Sequence, residues 1–370
     1  MANSTFDYDR FCDDLGPAEV LHLYEPRSGL RAIVVVDNTA CGVSLGGVRM
    51  AEDVTTEEVF RLARAMTFKN AGAGLPHGGG KAAILADPKA ADKERLIRAF
   101  AHAIRDVSGY VPGPDMGTDE TCMAWIFDEI GRAVGLPRVI GGIPLDEIGA
   151  TGLGLRACAE VAAPFCDLDL EGATLAIEGF GNVGRPAARF LAEKGVRLIA
   201  ASDSSGAVHD PSGIDVDELI AAKSAGGSVT GYPHGSRIEN DELFTVACDI
   251  LIPAARPDCI NDANVEDIQA KLVLQGANIP ATPAAEARLH ERGVLVVPDF
   301  IANAGGVICA AVEFHGGSEA VALEQVAGKI SLNTREVLES VRDDGILPRE
   351  AADRLARRRV EEAMALRRGF

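Results

Sequence analysis

Apolar positions along the chain follow two periods, and the change from one to the other organises the reading. Residues 30–36, Leu-Arg-Ala-Ile-Val-Val-Val, form a β-branched run that predicts a strand, and Asp37-Asn38-Thr39 closes it with turn-forming residues. Over 55–70 the period lengthens. Val59, Leu62, Ala63 and Met66 share one helical face, and Thr55 with Glu58 makes a capping-box pattern at its start. Lys69 ends the same face. Residues 71–81 predict a glycine-rich loop, 82–85 a short strand, 91–107 a helix and 111–117 a Pro/Gly-rich loop.

The composition changes over 138–150, where glycines and prolines predict a hinge between two domains. A helix is expected over 151–164. Short apolar strands then alternate with helical or loop connections at 173–178, 196–201, 249–252, 272–275 and 294–297, the rhythm of a parallel sheet. Beyond Gly306 the pattern is helical. A chain of 370 residues suits two domains.

Charge narrows the partners. The net charge is −19, which repels phosphate backbones and argues against nucleic-acid binding. No apolar run has signal-peptide or membrane-spanning length, so the expected setting is cytoplasmic, without a membrane partner. The eight cysteines show no CxxC spacing and the seven histidines no HxxxH spacing, so no metal site is expected. Only eight of the 36 basic residues are lysines, which draws attention to any lysine in an apolar setting.

Residues 174–178 predict a strand, followed by Gly179-Phe180-Gly181-Asn182-Val183-Gly184 and a helix to about Lys194. A second strand ends at Asp203, 19 residues beyond Gly184. In this order the glycines permit a tight turn, close backbone approach to a pyrophosphate and close helix–strand packing, while the helix N-terminus offers oriented N–H groups. Asp203 could accept hydrogen bonds from the adenosine ribose. No cation follows it closely in sequence, which tilts the expected cofactor toward NAD, with NADP possible.

Hydride transfer also needs a substrate anchor and groups that move protons. Lys81 follows three glycines and precedes an apolar strand. Burial beside another cation would lower its pKa and make it an acid–base group. Lys69 could bind a carboxylate as a point charge, and Asp115 sits in a stiff Pro/Gly segment suited to a proton shuttle. The plainer readings are a lysine satisfying helix-end carbonyls and an aspartate forming a turn.

At these motifs the chain resembles the glutamate/leucine/phenylalanine/valine dehydrogenase family. The matching segments include Leu45-Gly-Gly-Val-Arg49, Met66-Thr-Phe-Lys-Asn70, Pro76-His-Gly-Gly-Gly-Lys81, Gly113-Pro-Asp-Met-Gly-Thr118, Ala150-Thr-Gly152, Cys248 to Ala254, Gly276-Ala-Asn278 and Pro298 to Gly306. The resemblance implies an α/β fold of two domains. A substrate and oligomerisation domain (1–143) would hold a mixed sheet flanked by helices. A doubly wound Rossmann domain (144–325) would hold NAD, and C-terminal helices (326–370) would pack back toward the first domain. It implies reversible oxidative deamination of an L-amino acid to a 2-oxo acid and ammonia by a homo-oligomer. By the same resemblance Lys69 binds the α-carboxylate, Lys81 activates water or polarises the carbonyl, and Asp115 shuttles protons. Thr151, Asn278 and Asn303 lie around the nicotinamide, with Ala254 also on the cofactor side.

The family's glutamate dehydrogenases carry a lysine where this chain has Leu45 and a serine where it has Ala310, and these bind the distal carboxylate. Without them a buried glutamate side chain loses its partners. The expected pocket, with Leu45, Gly46, Gly113, Val307 and Ala310, is apolar and suits a branched-chain or aromatic amino acid. The alternatives are a glutamate dehydrogenase with an altered distal-carboxylate site and a non-catalytic, cofactor-binding regulatory homologue. The segments Gly179–Gly184, Ile252–Ala255 and Gly276–Asn278 read closer to glutamate dehydrogenases.

Overall fold

The structure is a computed structural model in which residues 9–367 are described. It divides into two compact units. The first contains the chain up to Pro144, Ala310–Ser318 and the stretch from Leu355 onward; the second contains Leu145–Cys309 and Glu319–Arg354.

The first unit is built on β1 (Glu19–Glu25), β2 (Leu30–Asn38), β3 (Ser44–Met50), α1 (Thr56–Gly72), β4 (Gly78–Ile84), α2 (Lys93–Ala103), β5 (Tyr110–Pro114) and α3 (Glu120–Ile130). Its sheet is mixed, in the order β1-β2-β4-β3-β5. Strands β3, β4 and β5 run parallel, while β2 is antiparallel to both β1 and β4. Alternation along the strands splits the core. Val34, Val48, Ala82 and Ile84 meet α2 and α3 on one face, whereas Ile33, Val35 and Ala83 meet Val59, Phe60 and Ala63 of α1 on the other. Thr55 caps α1 by accepting from the Glu58 N–H.

Two expected loops are strands. Gly78-Gly79-Gly80 belongs to β4 because the missing side chains let neighbours close in. A Cβ on Gly79 would stand 2.0 Å from the Thr67 backbone nitrogen, and one on Gly80 would stand 2.7 Å from Ser44 Oγ. Residues 110–114 form β5 despite Pro112 and Pro114, since among the described residues β5 is an edge strand paired with β3 alone.

The second unit contains α4 (Ala150–Ala162), β6 (Thr174–Glu178), α5 (Gly184–Ala192), β7 (Arg197–Asp203), β8 (Gly206–His209), α6 (Val216–Gly226), β9 (Ser236–Ile238), β10 (Ile250–Pro253), β11 (Leu272–Leu274), α7 (Pro283–Glu291), β12 (Leu295–Val297) and α8 (Asp299–Ala302). Its sheet order is β12-β11-β10-β6-β7-β8-β9. The five strands from β12 to β7 are parallel, and β8 and β9 add an antiparallel edge. Strand order reverses at β6, so the crevice beyond the ends of β6 and β10 is the expected ligand position of a doubly wound sheet.

Three further helices follow: α9 (Gly305–Phe314), α10 (Glu319–Asp344) and α11 (Pro348–Ala365). The segment 326–370 does not return to the first unit as one piece. Helix α10 stays with the second, where Ile330 and Val326 pack over Gly154 of α4. The start of α11 is held there too. Arg349 pairs with Glu286 at 2.6 Å and Asp299 at 3.1 Å and donates to Gln275 Oε1. From Leu355 the chain belongs to the first unit, where Arg359 donates to the carbonyls of Ala71 and Gly72. Among the described residues no helix is long and apolar enough to cross a membrane.

Candidate active site

In the first unit the parallel register sets the site. Leu45 pairs with Gly79 and Val111, and Gly47 pairs with Gly113, so Leu45, Gly47, Lys81, Val111 and Gly113 share one face of β3, β4 and β5. Lys81 is buried, with its Nζ 2.6 Å from Asp115 Oδ2. Arg49, two residues beyond Gly47 on the same face, places its Nε 3.2 Å from that same oxygen and its Nη1 2.5 Å from Glu58 of α1. The bareness of Gly47 makes this possible, since a Cβ there would lie 2.8 Å from Asp115 Cβ and 3.1 Å from Lys81 Nζ. Thr118 Oγ1 receives the Asp115 N–H and donates to the Val48 carbonyl, which fixes the loop after β5.

Electrostatics follow from this packing. Burial drives the Lys81 ammonium below the ordinary lysine range, Asp115 opposes that shift, and the Arg49 charge adds to it. Burial pushes the Asp115 carboxyl up, but the Lys81 charge and hydrogen bond, the Met116 N–H and Arg49 outweigh it and hold it below the usual range. Arg49 is a site residue that sequence reading misses, because nothing local ties it to Asp115, 66 residues away.

Lys69 sits half-buried near the end of α1, and its carbonyl accepts from Ala73. Leu45 is buried against Val111 and Val134, with Val43, Ala310 and Phe314 packed on the same cluster. A Cβ on Gly113 would meet Val134 at 3.1 Å, so Gly113 borders this cluster. Gly46 belongs to the backbone beneath it, where a Cβ would collide with the Gly80 carbonyl oxygen at 1.8 Å. Val307 is half-buried on α9, three residues before Ala310, and lies in the second unit.

In the second unit a cavity of about 430 Å³ opens at the reversal in strand order, lined by residues that include Glu178, Gly179, Gly181, Asp203, Lys223 and Ala254. Gly179 has φ +93, and a side chain there would strike Ala255. Gly184 must be bare because a Cβ would stand 2.2 Å from the Gly179 carbonyl oxygen. Among the described residues nothing lies within 4 Å of the Cβ position of Gly181. Val183 occupies the N-cap position of α5, and Asn182 is exposed, donating to Asp146. The Ala254 N–H donates to the Glu178 carbonyl, tying β10 to β6 at the cavity. Burial pushes the Glu178 carboxyl up.

Asp203 departs from expectation. Its carboxylate is paired with Lys223 Nζ at 2.5 Å and accepts from Ser228 Oγ and from the N–H groups of Ser205 and Val229. The cation that local sequence lacked comes from α6, 20 residues on. Asp203 therefore does have a cation beside it, and the expected tilt toward NAD over NADP is lost.

Asn303 Nδ2 donates to the carbonyls of Gly276 and Ala277 and to Asn278 Oδ1, bringing the two asparagines together. Its Oδ1 is buried without a hydrogen-bond partner among the described residues. Thr151 lies in the first turn of α4, where Gly305 allows close approach: a Cβ on Gly305 would be 2.9 Å from Thr151 Cα.

The family model described as Glutamate/Leucine/Phenylalanine/Valine dehydrogenase matches residues 141–368. That described as Glu/Leu/Phe/Val dehydrogenase, dimerisation domain, matches 17–132. The chain belongs to this family. A curated relative named glutamate dehydrogenase, from Aeropyrum pernix, is 40% identical over 355 residues, covering 89% of this chain and 85% of the relative. The hetero-hexameric glutamate dehydrogenase from Thermus thermophilus (Leu bound form) superposes with a TM-score of 0.82 at 30% identity, covering 96% of this chain and 91% of that one. The L-tryptophan dehydrogenase from Nostoc punctiforme gives 0.76 at 26% identity, covering 95% and 98%.

The dinucleotide that the family implies fits the second unit. The open space at Gly181 admits a pyrophosphate beside the α5 N-terminus, and the orphaned Asn303 Oδ1 is an acceptor awaiting a donor such as a carboxamide. An amino-acid dehydrogenase acting on a CH–NH2 group accounts for the family match.

Proposed function

We propose that the chain catalyses NAD- or NADP-dependent, reversible oxidative deamination of an L-α-amino acid to its 2-oxo acid and ammonia. The observation that carries this reading is the buried Lys81 held 2.6 Å from Asp115 with Arg49 on the same carboxylate. A bound nicotinamide would supply the acceptor for the hydride that leaves the substrate Cα. The half-buried Lys69 ammonium holds the α-carboxylate. Neutral Lys81 Nζ takes a proton from water as it adds to the imine carbon, and Asp115 carries a proton to the departing nitrogen. Gly181 and the α5 N-terminus would hold the pyrophosphate, and Asn278, Asn303 and Thr151 would hold the nicotinamide end. The dimerisation-domain match supports an oligomer.

For the substrate, the relatives' names favour glutamate, bound through an altered distal-carboxylate site. A second reading, an apolar L-amino acid, is supported by Leu45 and Ala310 standing in a cluster with Val111, Val134 and Phe314. A panel of L-amino acids with NAD and with NADP, read as nicotinamide absorbance, tests both. Turnover of glutamate above all others establishes the first reading, and turnover of leucine, valine or phenylalanine above glutamate establishes the second. Turnover undiminished in Lys81→Ala would overturn the assignment of Lys81. No reduction with any amino acid would favour a regulatory homologue.

A further inference from the structure

His77 stands one residue before β4 and is 1% exposed. Its Nδ1 lies 3.1 Å from the Val43 carbonyl oxygen. A carbonyl can only accept, so Nδ1 carries the proton and Nε2 presents a lone pair. That Nε2 is buried and has no hydrogen-bond partner among the described residues. A buried acceptor without a donor is costly, about 1–3 kcal/mol, and calls for an explanation.

The neighbourhood supplies one. The ring meets Phe314 edge-on at 5.4 Å and His315 at 5.2 Å. Phe314 packs on the cluster of Leu45, Val111, Val134 and Ala310. Continuing the alternation of β4 back by one residue puts His77 on the face that carries Lys81. Four residues of extended chain, roughly 13 Å, separate the two positions. The imidazole thus stands beside the apolar Leu45 cluster, away from Lys81. Burial, opposed by the Val43 hydrogen bond and helped by the nearby His315, keeps the ring below the ordinary histidine range and therefore neutral near pH 7.

We propose that His77 is a specificity residue: its Nε2 accepts a hydrogen bond from a donor at the tip of the substrate side chain. The favoured substrates would combine an apolar or aromatic body with a terminal N–H or O–H, such as an indole, phenol or carboxamide. A carboxylate tip offers only acceptors and leaves Nε2 unpaired. This rests on the dehydrogenase reading above and, for the substrate, on its second reading, with the Leu45 cluster as the side-chain pocket.

The test is kcat/KM for matched substrates with the full-length protein: tyrosine against phenylalanine, tryptophan against 2-naphthylalanine, and glutamine against glutamate. The wild type should prefer the donor-tipped member of at least one pair. His77→Leu should cut kcat/KM for that member by roughly ten- to a hundredfold and leave its partner unchanged. His77→Gln, whose side-chain carbonyl can accept, should restore part of the preference and guards against a folding defect in the leucine variant. No donor preference in any pair, or an equal loss for both members in His77→Leu, overturns the role of His77 while leaving the dehydrogenase reading intact. If no amino acid reduces NAD or NADP in the wild type, both fall.

Discussion

Lys81 Nζ stands 2.6 Å from Asp115 Oδ2, and Arg49 Nε approaches that same oxygen at 3.2 Å. One carboxylate thus faces two cations, and the cations act oppositely on the lysine. Asp115 favours the charged ammonium, whereas Arg49 and burial disfavour it. If neutral Lys81 is the working form, kcat/KM for deamination rises as pH climbs through its lowered pKa. Asp115→Asn removes the charge that retains the proton, so the rising limb moves to lower pH. Loss of the proton shuttle should also cut kcat by roughly 10²–10⁴-fold. Arg49→Met removes the opposing cation and moves the limb to higher pH. pH–rate profiles of the two variants check this, and limbs that stay in place would remove Lys81 from the assignment.

Two glycines of the Gly179–Gly184 turn should separate folding from binding. A methyl on Gly184 would lie 2.2 Å from the Gly179 carbonyl oxygen, whereas one on Gly181 enters open space. Gly184→Ala should lower Tm. Gly181→Ala should leave Tm unchanged yet weaken dinucleotide binding by roughly tenfold or more, because the methyl fills the place where backbone and pyrophosphate meet. Thermal melts paired with titration of reduced-nicotinamide fluorescence measure both. Unaltered binding in Gly181→Ala would put the phosphates elsewhere.

These contrasts mark what sequence could carry. The turn from β6 into α5 is written in adjacent residues, so its strand, glycines and helix were readable together. The glycines before Lys81 looked like a loop because their reason lies in α1: Thr67 occupies the space where a Gly79 side chain would be. Proline in β5 was misleading for a related reason, since edge position is a property of the sheet and not of the segment. Arg49 and Lys223 were missed because each meets its partner only after folding, across 66 and 20 residues. The division of α10 and α11 between the two units likewise depends on contacts such as Arg349–Glu286 that no periodicity displays.

Lys223 should govern the choice between NAD and NADP. Its ammonium neutralises Asp203 at the lip of the cofactor cavity. Lys223→Met removes a cation and leaves the carboxylate uncompensated, and both changes repel a ribose 2′-phosphate while a 2′-hydroxyl can still donate to the acid. The ratio of kcat/KM for NADP to that for NAD should therefore fall, by roughly tenfold for each 1.4 kcal/mol of lost interaction. Steady-state kinetics with each cofactor at fixed substrate measure it. A ratio that is unchanged or rises would show that the ribose does not meet this pair.

Leu45 and Ala310 allow the substrate question to be settled by construction. Both lie in a cluster whose other members are valines and a phenylalanine. Leu45→Lys places an ammonium in a site where the wild-type leucine is 2% exposed, and an unpaired buried charge should destabilise the protein by about 3–5 kcal/mol. Ala310→Ser adds a hydroxyl that can share the load. In the double variant a dicarboxylate ligand would supply the missing counter-charge, so glutarate should raise its Tm and leave the wild type unmoved. Glutamate turnover should appear or increase as leucine turnover falls. If the double variant gains neither glutarate stabilisation nor glutamate activity, the side-chain pocket lies away from this cluster. If the wild type already shows both, the distal carboxylate is bound without either residue.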